Sequence, residues 1–259
     1  MNLYKTKAIV LKDYDLKDQD KIVVFYSLRY GKIRIVVKGG RKIKSKFAPT
    51  IQPPSYLNLL IYRNTRDGLD TLSESQVICP FLGIRRDLVK FAYSSYLAEL
   101  VIKLSAEREA LPDLFRLFLK TLSFIEKSSK KNLDILIHSF ELKLLDILGY
   151  RPSLENCVYC GEKIEMTNFL FFSIIKGGVI CRRCEERDKK RLTISQKTLK
   201  VLKSLLYLNL ERSSELIIDE KIQKEIKKIL EDYLLYRIES EMLTPSFIDD
   251  FKILEKSKD

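Results

Sequence analysis

The pattern of apolar and polar residues divides the chain into an amino-terminal part with the period of β-strands and a longer part with the period of α-helices. Up to residue 79, apolar residues alternate with polar ones in short runs, separated by turn-forming segments such as DLKDQD and RNTRDG. A small barrel of the OB type is predicted by this pattern, with an SH3-like barrel as the alternative. The five predicted strands are Lys5–Lys12, Lys21–Ser27, Lys32–Lys38, Ser55–Tyr62 and Leu69–Ile78.

From Pro80 onward, apolar residues recur at spacings of three and four, which predicts amphipathic helices whose apolar faces form a core. The predicted helices begin near Leu88 and continue as Pro112–Glu126, Lys131–Leu148, Ser195–Leu210 and Lys221–Glu239. The sequence therefore predicts an α+β multidomain protein with a five-stranded barrel, a helical domain and an inserted four-cysteine module. We expect the barrel at residues 1–79, the helical domain at residues 80–150 and 190–259, and the module at residues 151–189.

Four of the five cysteines form two closely spaced pairs between the helical segments. Cys157 and Cys160 make one CxxC pair, and Cys181 and Cys184 make another after twenty intervening residues. This spacing is typical of a tetrahedral zinc site with four thiolate ligands, although a redox-active CxxC pair also fits. Four thiolates leave no coordination position open for a substrate, so the expected zinc ion has a structural role. The fifth cysteine, Cys79, is interpreted as a small buried apolar residue.

Positive charge is concentrated in the amino-terminal part of the chain, which has a formal net charge of +12. Residues 1–80 contain 15 Lys and Arg against 7 Asp and Glu, whereas the other 179 residues contain 32 against 28. Such a concentration of positive potential indicates a polyanionic partner, either nucleic acid or an anionic membrane surface. The alternative interpretation is a solvated basic face that has no ligand.

The strongest basic segment extends from Lys21 to Arg66 and contains no Asp or Glu. Its cations in KIRIVVK alternate with apolar residues, so they share one face of an extended strand, and a basic loop, RKIKSKF, follows. Tyr30 and Phe47, at strand or loop ends, are the best candidates for stacking on bases. The candidate polyanion-binding residues of the strand and loop are Lys32, Arg34, Lys38, Arg41, Lys42, Lys44 and Lys46.

Residues that support catalysis are scarce. His138 is the single histidine, lies within a predicted helix and has no nucleophile in its sequence context. The segment GGRKIKS lacks the spacing of a phosphate-binding P-loop, and neither GxGxxG nor HExxH occurs. We therefore expect a protein that is not an enzyme.

The apolar runs of the sequence bear on location. None is long enough to cross a bilayer, and the first residues lack the apolar core and cleavage site of a signal peptide. We therefore expect a cytoplasmic protein, associated with the nucleoid when its polyanionic partner is DNA.

Three stretches of the sequence resemble one family. The opening stretch, KTKAIVLKDYDLKDQDKIVVFYSLRYGKIRIVVKGGRKIKSKFAPTIQPPSYLNL, is similar to the amino-terminal barrel of the bacterial RecO family of recombination mediators and DNA-repair proteins. LGYRPSLENCVYCG and FFSIIKGGVICRRC resemble the segments that lead into that family's two cysteine pairs. The resemblance covers the whole chain in the order barrel, helices, cysteine module and helices.

This resemblance implies a non-enzymatic protein that binds single- and double-stranded DNA and anneals complementary strands in recombinational DNA repair. It implies as partners a RecR-like protein and the carboxy-terminal tail of single-stranded-DNA-binding protein, with a functional link to loading of RecA. The family's DNA-contacting cations lie mainly on the barrel, and they correspond here to Lys32, Arg34, Lys38, Arg41, Lys42, Lys44 and Lys46. The alternative function is that of a zinc-ribbon nucleic-acid-binding factor of the transcription machinery.

Overall fold

A computed structural model of the chain describes residues 2–16, 19–65, 68–128, 133–165 and 170–238. The chain divides after Lys130 into two compact units, which are described separately below. The first unit therefore joins the barrel with the helices that directly follow it. The predicted boundary at residue 79 stays a prediction, and residues 239–259 of the predicted helical domain lie outside the described part of the chain. Among the described residues, every helix is too short or too polar to cross a membrane.

The first unit contains a closed barrel of five strands. In sheet order the strands are β1, β2, β3, β5 and β4, with β4 pairing back to β1. Strands β3 and β5 are parallel, and every other pair is antiparallel. This arrangement is an OB-type barrel, so the predicted fold is confirmed and the SH3-like alternative is wrong. The strands are β1 (Leu3–Leu16), β2 (Asp20–Ser27), β3 (Gly31–Val37), β4 (Tyr56–Tyr62) and β5 (Asp70–Cys79).

Alternation along β3 explains why this segment is a barrel strand. Ile33, Ile35 and Val37 are completely buried in the barrel core, whereas Arg34 between them is exposed. The long loop after β3 adds Phe47 to the same core, because this ring packs against the end of the barrel. The barrel therefore has one continuous apolar interior, and its cations lie on the outside or in loops.

Three helices complete the first unit: α1 (Leu82–Arg85), α2 (Leu88–Leu104) and α3 (Pro112–Lys127). The Asp87 side chain begins α2 by accepting hydrogen bonds from two backbone N–H groups of the first turn. The Glu126 carboxylate of α3 accepts from the backbone N–H groups of Gly83 and Ile84, each at 2.8 Å, and so fastens α3 to α1. The connector between α2 and α3, residues 105–111, lies against the barrel.

The second unit is built around α4 (Leu133–Ile147), which is buried on nearly all sides. A three-stranded sheet, in the order Gly178–Ile180, Leu170–Ser173 and Leu192–Ile194, shares an apolar core with this helix, and a 3-10 helix, Arg182–Arg187, contains Cys184. The remaining elements are β6 (Leu170–Ser173), β7 (Gly178–Ile180), β8 (Leu192–Ile194), α5 (Gln196–Tyr207), α6 (Leu210–Ser214) and α7 (Glu220–Ile238). Ser195 begins α5 as an N-cap, since its Oγ accepts from the Thr198 N–H.

His138 lies within α4, as the sequence pattern predicts. Its Nδ1 is 2.8 Å from Oε2 of Glu141, one turn further along the same helix, and both side chains are buried. The imidazole thus provides a hydrogen-bond partner for a buried carboxylate, and its surroundings are those of a packing residue in a buried helix.

Candidate nucleic-acid interface and metal centre

The basic loop after β3 is anchored to the end of the β1–β2 hairpin. Asp20 Oδ1 accepts from the Gly39 N–H at 2.7 Å, and the Arg41 N–H donates to the Gln19 carbonyl oxygen at 3.0 Å. Arg41 also forms an ion pair with Asp15, with 3.5 Å between Nε and Oδ2. On the loop side, these contacts involve two backbone N–H groups and the Arg41 side chain. The lysine side chains of the loop take no part in them.

Lys38, Lys42, Lys44 and Lys46 surround one open cleft of about 350 Å³. We call this feature the lysine cleft. All of these lysine side chains are exposed, and within the described part of the chain none of them forms an ion pair with a carboxylate. Their charge is therefore available to an anion from solution.

Arg34 and Arg41 belong to the same basic region but have acidic neighbours. Arg34 Nε lies 3.2 Å from Oε1 of Glu107, which comes from the connector between α2 and α3. Both guanidinium groups remain partly exposed, with side-chain exposures of 55% and 40%, so each retains donors that face solvent.

Lys32 differs from the sequence prediction of a cation on the exposed strand face. The residue is only 8% exposed, and its Nζ donates to the carbonyl oxygens of Ile102 and Ser105, each at 2.6 Å. Burial lowers the pKa of this amine. The physical reason is that residues from the end of α2 and the following connector cover this end of β3. Lys32 therefore joins the barrel to the helices and is separated from the lysine cleft.

The predicted stacking rings are also engaged within the fold. Phe47 is buried in the barrel core, and Lys46 Nζ lies 4.8 Å from its ring centroid. Tyr30 packs edge-to-face on Tyr4 with 4.6 Å between ring centroids. The prediction that Phe47 stacks on a base is therefore wrong. Its ring lines the lysine cleft from the side of the barrel core and has no face free for a base.

The four paired cysteines converge in the second unit. The sulfur atoms of Cys157, Cys160, Cys181 and Cys184 all lie within 4.8 Å of one another. Cys160 Sγ and Cys181 Sγ are 3.7 Å apart. A tetrahedral ion with Zn–S bonds of about 2.3 Å requires sulfur separations of roughly 3.8 Å. The spacing of the thiols therefore fits a tetrahedral thiolate centre.

A backbone turn in each CxxC pair brings the two sulfur atoms of that pair to the same side of the chain. Gly161 adopts a φ of +75°, which lets the first pair turn back so that its N–H reaches the Cys157 carbonyl oxygen at 2.9 Å. Cys181 follows β7 directly, and the Cys184 N–H donates to the Cys181 carbonyl oxygen at 3.0 Å. Each CxxC pair is thus closed by its own turn.

The electrostatics of the thiols also favour a cation. Burial opposes ionisation of Cys157, but backbone N–H groups from Cys181, Cys160 and Tyr159 outweigh it and lower the pKa of its thiol to about 6. Burial and the neighbouring sulfurs raise the pKa of Cys181 to about 12. The Cys157 thiolate thus forms readily, whereas the raised pKa values of Cys181 and Cys184 mean that their ionisation needs a compensating positive charge. A divalent metal ion supplies such a charge.

Two family models together match nearly the whole chain. The model described as Recombination protein O N terminal matches residues 1–81, and the model described as Recombination protein O C terminal matches residues 85–244. The chain belongs to the RecO family. RecO proteins are non-enzymatic mediators of DNA repair and recombination, so the prediction that this chain is not an enzyme is confirmed.

Curated RecO proteins match along nearly their full lengths. The DNA repair protein RecO of Desulforamulus reducens is 33% identical over 249 residues, covering 96% of this chain and 95% of that protein. The protein of the same name from Pelotomaculum thermopropionicum is 34% identical over 251 residues, covering 97% and 95%. That of Bacillus subtilis is 31% identical over 231 residues, covering 89% and 88%. This RecO-family assignment decides against the alternative of a transcription factor.

Glu107 is a residue of the basic region that sequence reasoning missed. It lies 73 positions after Arg34 in the chain, yet its carboxylate is the acidic neighbour of both Arg34 and Lys32. No local pattern indicates this contact, because only the path of the connector brings it to β3.

Proposed function

We propose that this RecO-family protein binds single- and double-stranded DNA through the lysine cleft and anneals complementary strands. The observation that carries the proposal is the grouping of four solvent-facing lysines around one cleft without a paired carboxylate in the described part of the chain. Such lysines attract phosphates and release condensed counterions on binding. They make no demand on base identity, so binding is independent of sequence.

Annealing follows from neutralisation of charge. Two complementary strands repel each other through their phosphates, and a surface that neutralises the backbone lowers this repulsion while the base edges stay free. Arg34 and Arg41 extend the basic surface, since each keeps part of its guanidinium exposed. Lys32 is excluded from the surface because its amine is buried against carbonyl groups.

The four-cysteine cluster holds a structural Zn²⁺ in this proposal, with Cys157, Cys160, Cys181 and Cys184 as its ligands. The thiol separations and the shifted pKa values support this assignment. The ion would fix the two turns beside β6 and β7. It has no part in DNA chemistry, because four protein ligands complete its coordination.

The partners in this proposal are a RecR-like protein, the tail of single-stranded-DNA-binding protein and, functionally, RecA. Annealing of complementary oligonucleotides that are precoated with single-stranded-DNA-binding protein tests the whole proposal. We expect the protein to accelerate annealing, and a RecR-like partner to alter the rate. A rate equal to that of the coated oligonucleotides alone would refute the proposed function.

A further inference from the structure

The outer face of β2 and β3 is partly covered by the connector at residues 105–111. The Arg108 N–H donates to the Lys32 carbonyl oxygen at 2.9 Å, which seats the connector alongside β3. Gly31 permits this close approach, because a Cβ at that position would lie 1.8 Å from the Glu109 carbonyl oxygen. OB folds commonly bind oligonucleotides on the face of strands two and three. In this barrel, part of that face is closed.

A different face of the same barrel is open. A groove of about 690 Å³ crosses the outer sides of β1, β4 and β5. Strand register sets side chains across it in rows, because residues that pair across antiparallel strands project to the same face. We call this feature the three-strand groove. Its two rows are Lys5, Leu60 and Glu74, followed by Lys7, Asn58 and Gln76.

Arg29 adds a third cation to the three-strand groove from the turn between β2 and β3. The neighbouring Leu28 N–H donates to the Lys7 carbonyl oxygen at 2.9 Å, which holds this turn beside β1. Among the described residues, the side chains of Lys5, Lys7 and Arg29 form no ion pair or hydrogen bond. Glu74 is the carboxylate that lines the groove, and it lies two strands away from Lys5, roughly 10 Å across the sheet.

The three-strand groove and the lysine cleft are separate surfaces. They share no lining residue. The lysine cleft lies at the end of β1 where Asp15 pairs with Arg41, and Lys7 precedes Asp15 by eight residues of the same strand. Eight residues extend about 26 Å along a strand. The two surfaces therefore lie at different places on the barrel.

We propose that the three-strand groove binds the phosphodiester backbone of a second single strand while the lysine cleft holds the first. Lys5 and Lys7 project from the same face of β1 about 6.7 Å apart, close to the phosphate spacing of an extended strand. Asn58 and Gln76 add neutral donors and acceptors beside them, which suit phosphate and base edges alike. The inference rests on the proposed function and adds where the complementary strand is held.

The three cations in an open groove favour nucleic acid over an acidic peptide. The carboxylates of a peptide strand alternate between its two faces, whereas a nucleic-acid strand presents a phosphate at every step of its backbone. Holding two strands on one molecule also raises the effective concentration of each for the other. Annealing then depends on both surfaces, whereas binding of the first strand depends on the lysine cleft alone.

The number of strands bound per chain tests this inference. Fluorescently labelled, non-complementary oligonucleotides of about ten nucleotides are titrated onto the full-length protein under stoichiometric conditions. We expect two oligonucleotides per natural chain and one per chain of the variant Lys5→Ala, Lys7→Ala, Arg29→Ala. Donor and acceptor labels on different oligonucleotides should show energy transfer with the natural protein and lose it with this variant.

A matched control removes three exposed lysines of the second unit, Lys197→Ala, Lys200→Ala and Lys221→Ala, and should keep two oligonucleotides per chain. Two bound oligonucleotides on the groove variant, or one on the natural protein, would overturn the inference while leaving the proposed function intact. Binding of an acidic peptide is measured on the same two proteins. If the natural protein binds the peptide, and the groove variant does not but still binds two oligonucleotides, the groove belongs to a protein partner and the inference is overturned. No binding by the natural protein would instead contradict the proposed function itself.

Discussion

At the scale of single residues, the contacts of each cation determine what it can do. Lys42 and Lys44 have no carboxylate partner in the described part of the chain, so their positive charge faces solvent. Lys32 is only ten positions before Lys42, but its amine is buried and bonded to two carbonyl oxygens. Lysines of one basic segment therefore serve different purposes: Lys32 holds the barrel to the helices of its unit, whereas Lys42 and Lys44 are open to phosphate.

Replacement of Lys32 by alanine should lower stability and leave the lysine cleft unchanged. The substitution leaves the Ile102 and Ser105 carbonyl oxygens without their donor, which costs about 1–3 kcal/mol. The free energy of unfolding in urea measures the loss. Lys38→Ala, an exposed lysine that follows the opposite end of β3, is the matched control and should change stability by less than about 0.5 kcal/mol. Equal stability of the two variants would contradict the assignment of Lys32.

Asp70 provides a pH-dependent contribution to the stability of the first unit. Burial alone would raise the pKa of this carboxyl, but hydrogen bonds from Tyr4, Arg108 and the Asn64 N–H hold it below its usual value. A depressed pKa in the folded state stabilises the protein above the unfolded pKa of about 3.9. This stability is lost as the pH falls through the lower, folded value.

Asp70→Asn should therefore destabilise the protein at neutral pH, and the difference from the natural protein should shrink as the pH falls below about 4. Urea unfolding at several pH values measures this difference. The exposed Glu74→Gln is the control and should have little effect at any pH. A destabilisation by Asp70→Asn that stays constant down to strong acid would refute the linkage.

At the scale of elements, alternation along the strands was sufficient to predict the barrel. The predicted strand Ser55–Tyr62 corresponds to β4, Tyr56–Tyr62, and Leu69–Ile78 corresponds to β5, Asp70–Cys79. The burial of Phe47 could not be predicted, because a loop residue has no periodicity that reveals an inward-facing ring. The burial of Lys32 was equally hidden, since residues seventy positions away provide the cover.

The cysteine module was predictable because its chemistry is encoded by spacing. Both CxxC pairs close a turn, and backbone hydrogen bonds of Ser153 and Val158 with Val179 of β7 bring the first pair beside the second. The ion itself is a prediction. The natural protein should carry one zinc per chain, as measured by native mass spectrometry or atomic absorption.

Cys181→Ser should reduce the zinc content and lower the thermal midpoint. A loss of about 3 kcal/mol corresponds to roughly 6–12 °C in a chain of this size. The matched control is Cys79→Ser, which alters the one cysteine outside the cluster and should retain the metal. Metal-free protein with a disulfide between paired cysteines would support the redox alternative and contradict the zinc assignment.

At the scale of the whole molecule, the two units divide the work. The first unit carries the lysine cleft and the three-strand groove on one barrel, and the second carries the cysteine cluster beside its small β-sheet. The RecO family assignment covers both units. Repair function therefore depends, in this account, on the exposed lysines of the barrel that form no ion pair within the described part of the chain.

The measurement that tests this account most directly is the salt dependence of oligonucleotide binding and annealing by a lysine-cleft variant. Lys38, Lys42, Lys44 and Lys46 are replaced together by alanine, and a control replaces four exposed lysines of the second unit, Lys197, Lys200, Lys221 and Lys224. With about 0.7 counterions released per phosphate contact on single strands, the slope of log affinity against log salt should flatten by about 3 in the cleft variant. Annealing should slow with it. The control should keep the natural slope and rate; an unchanged slope in the cleft variant would contradict the account.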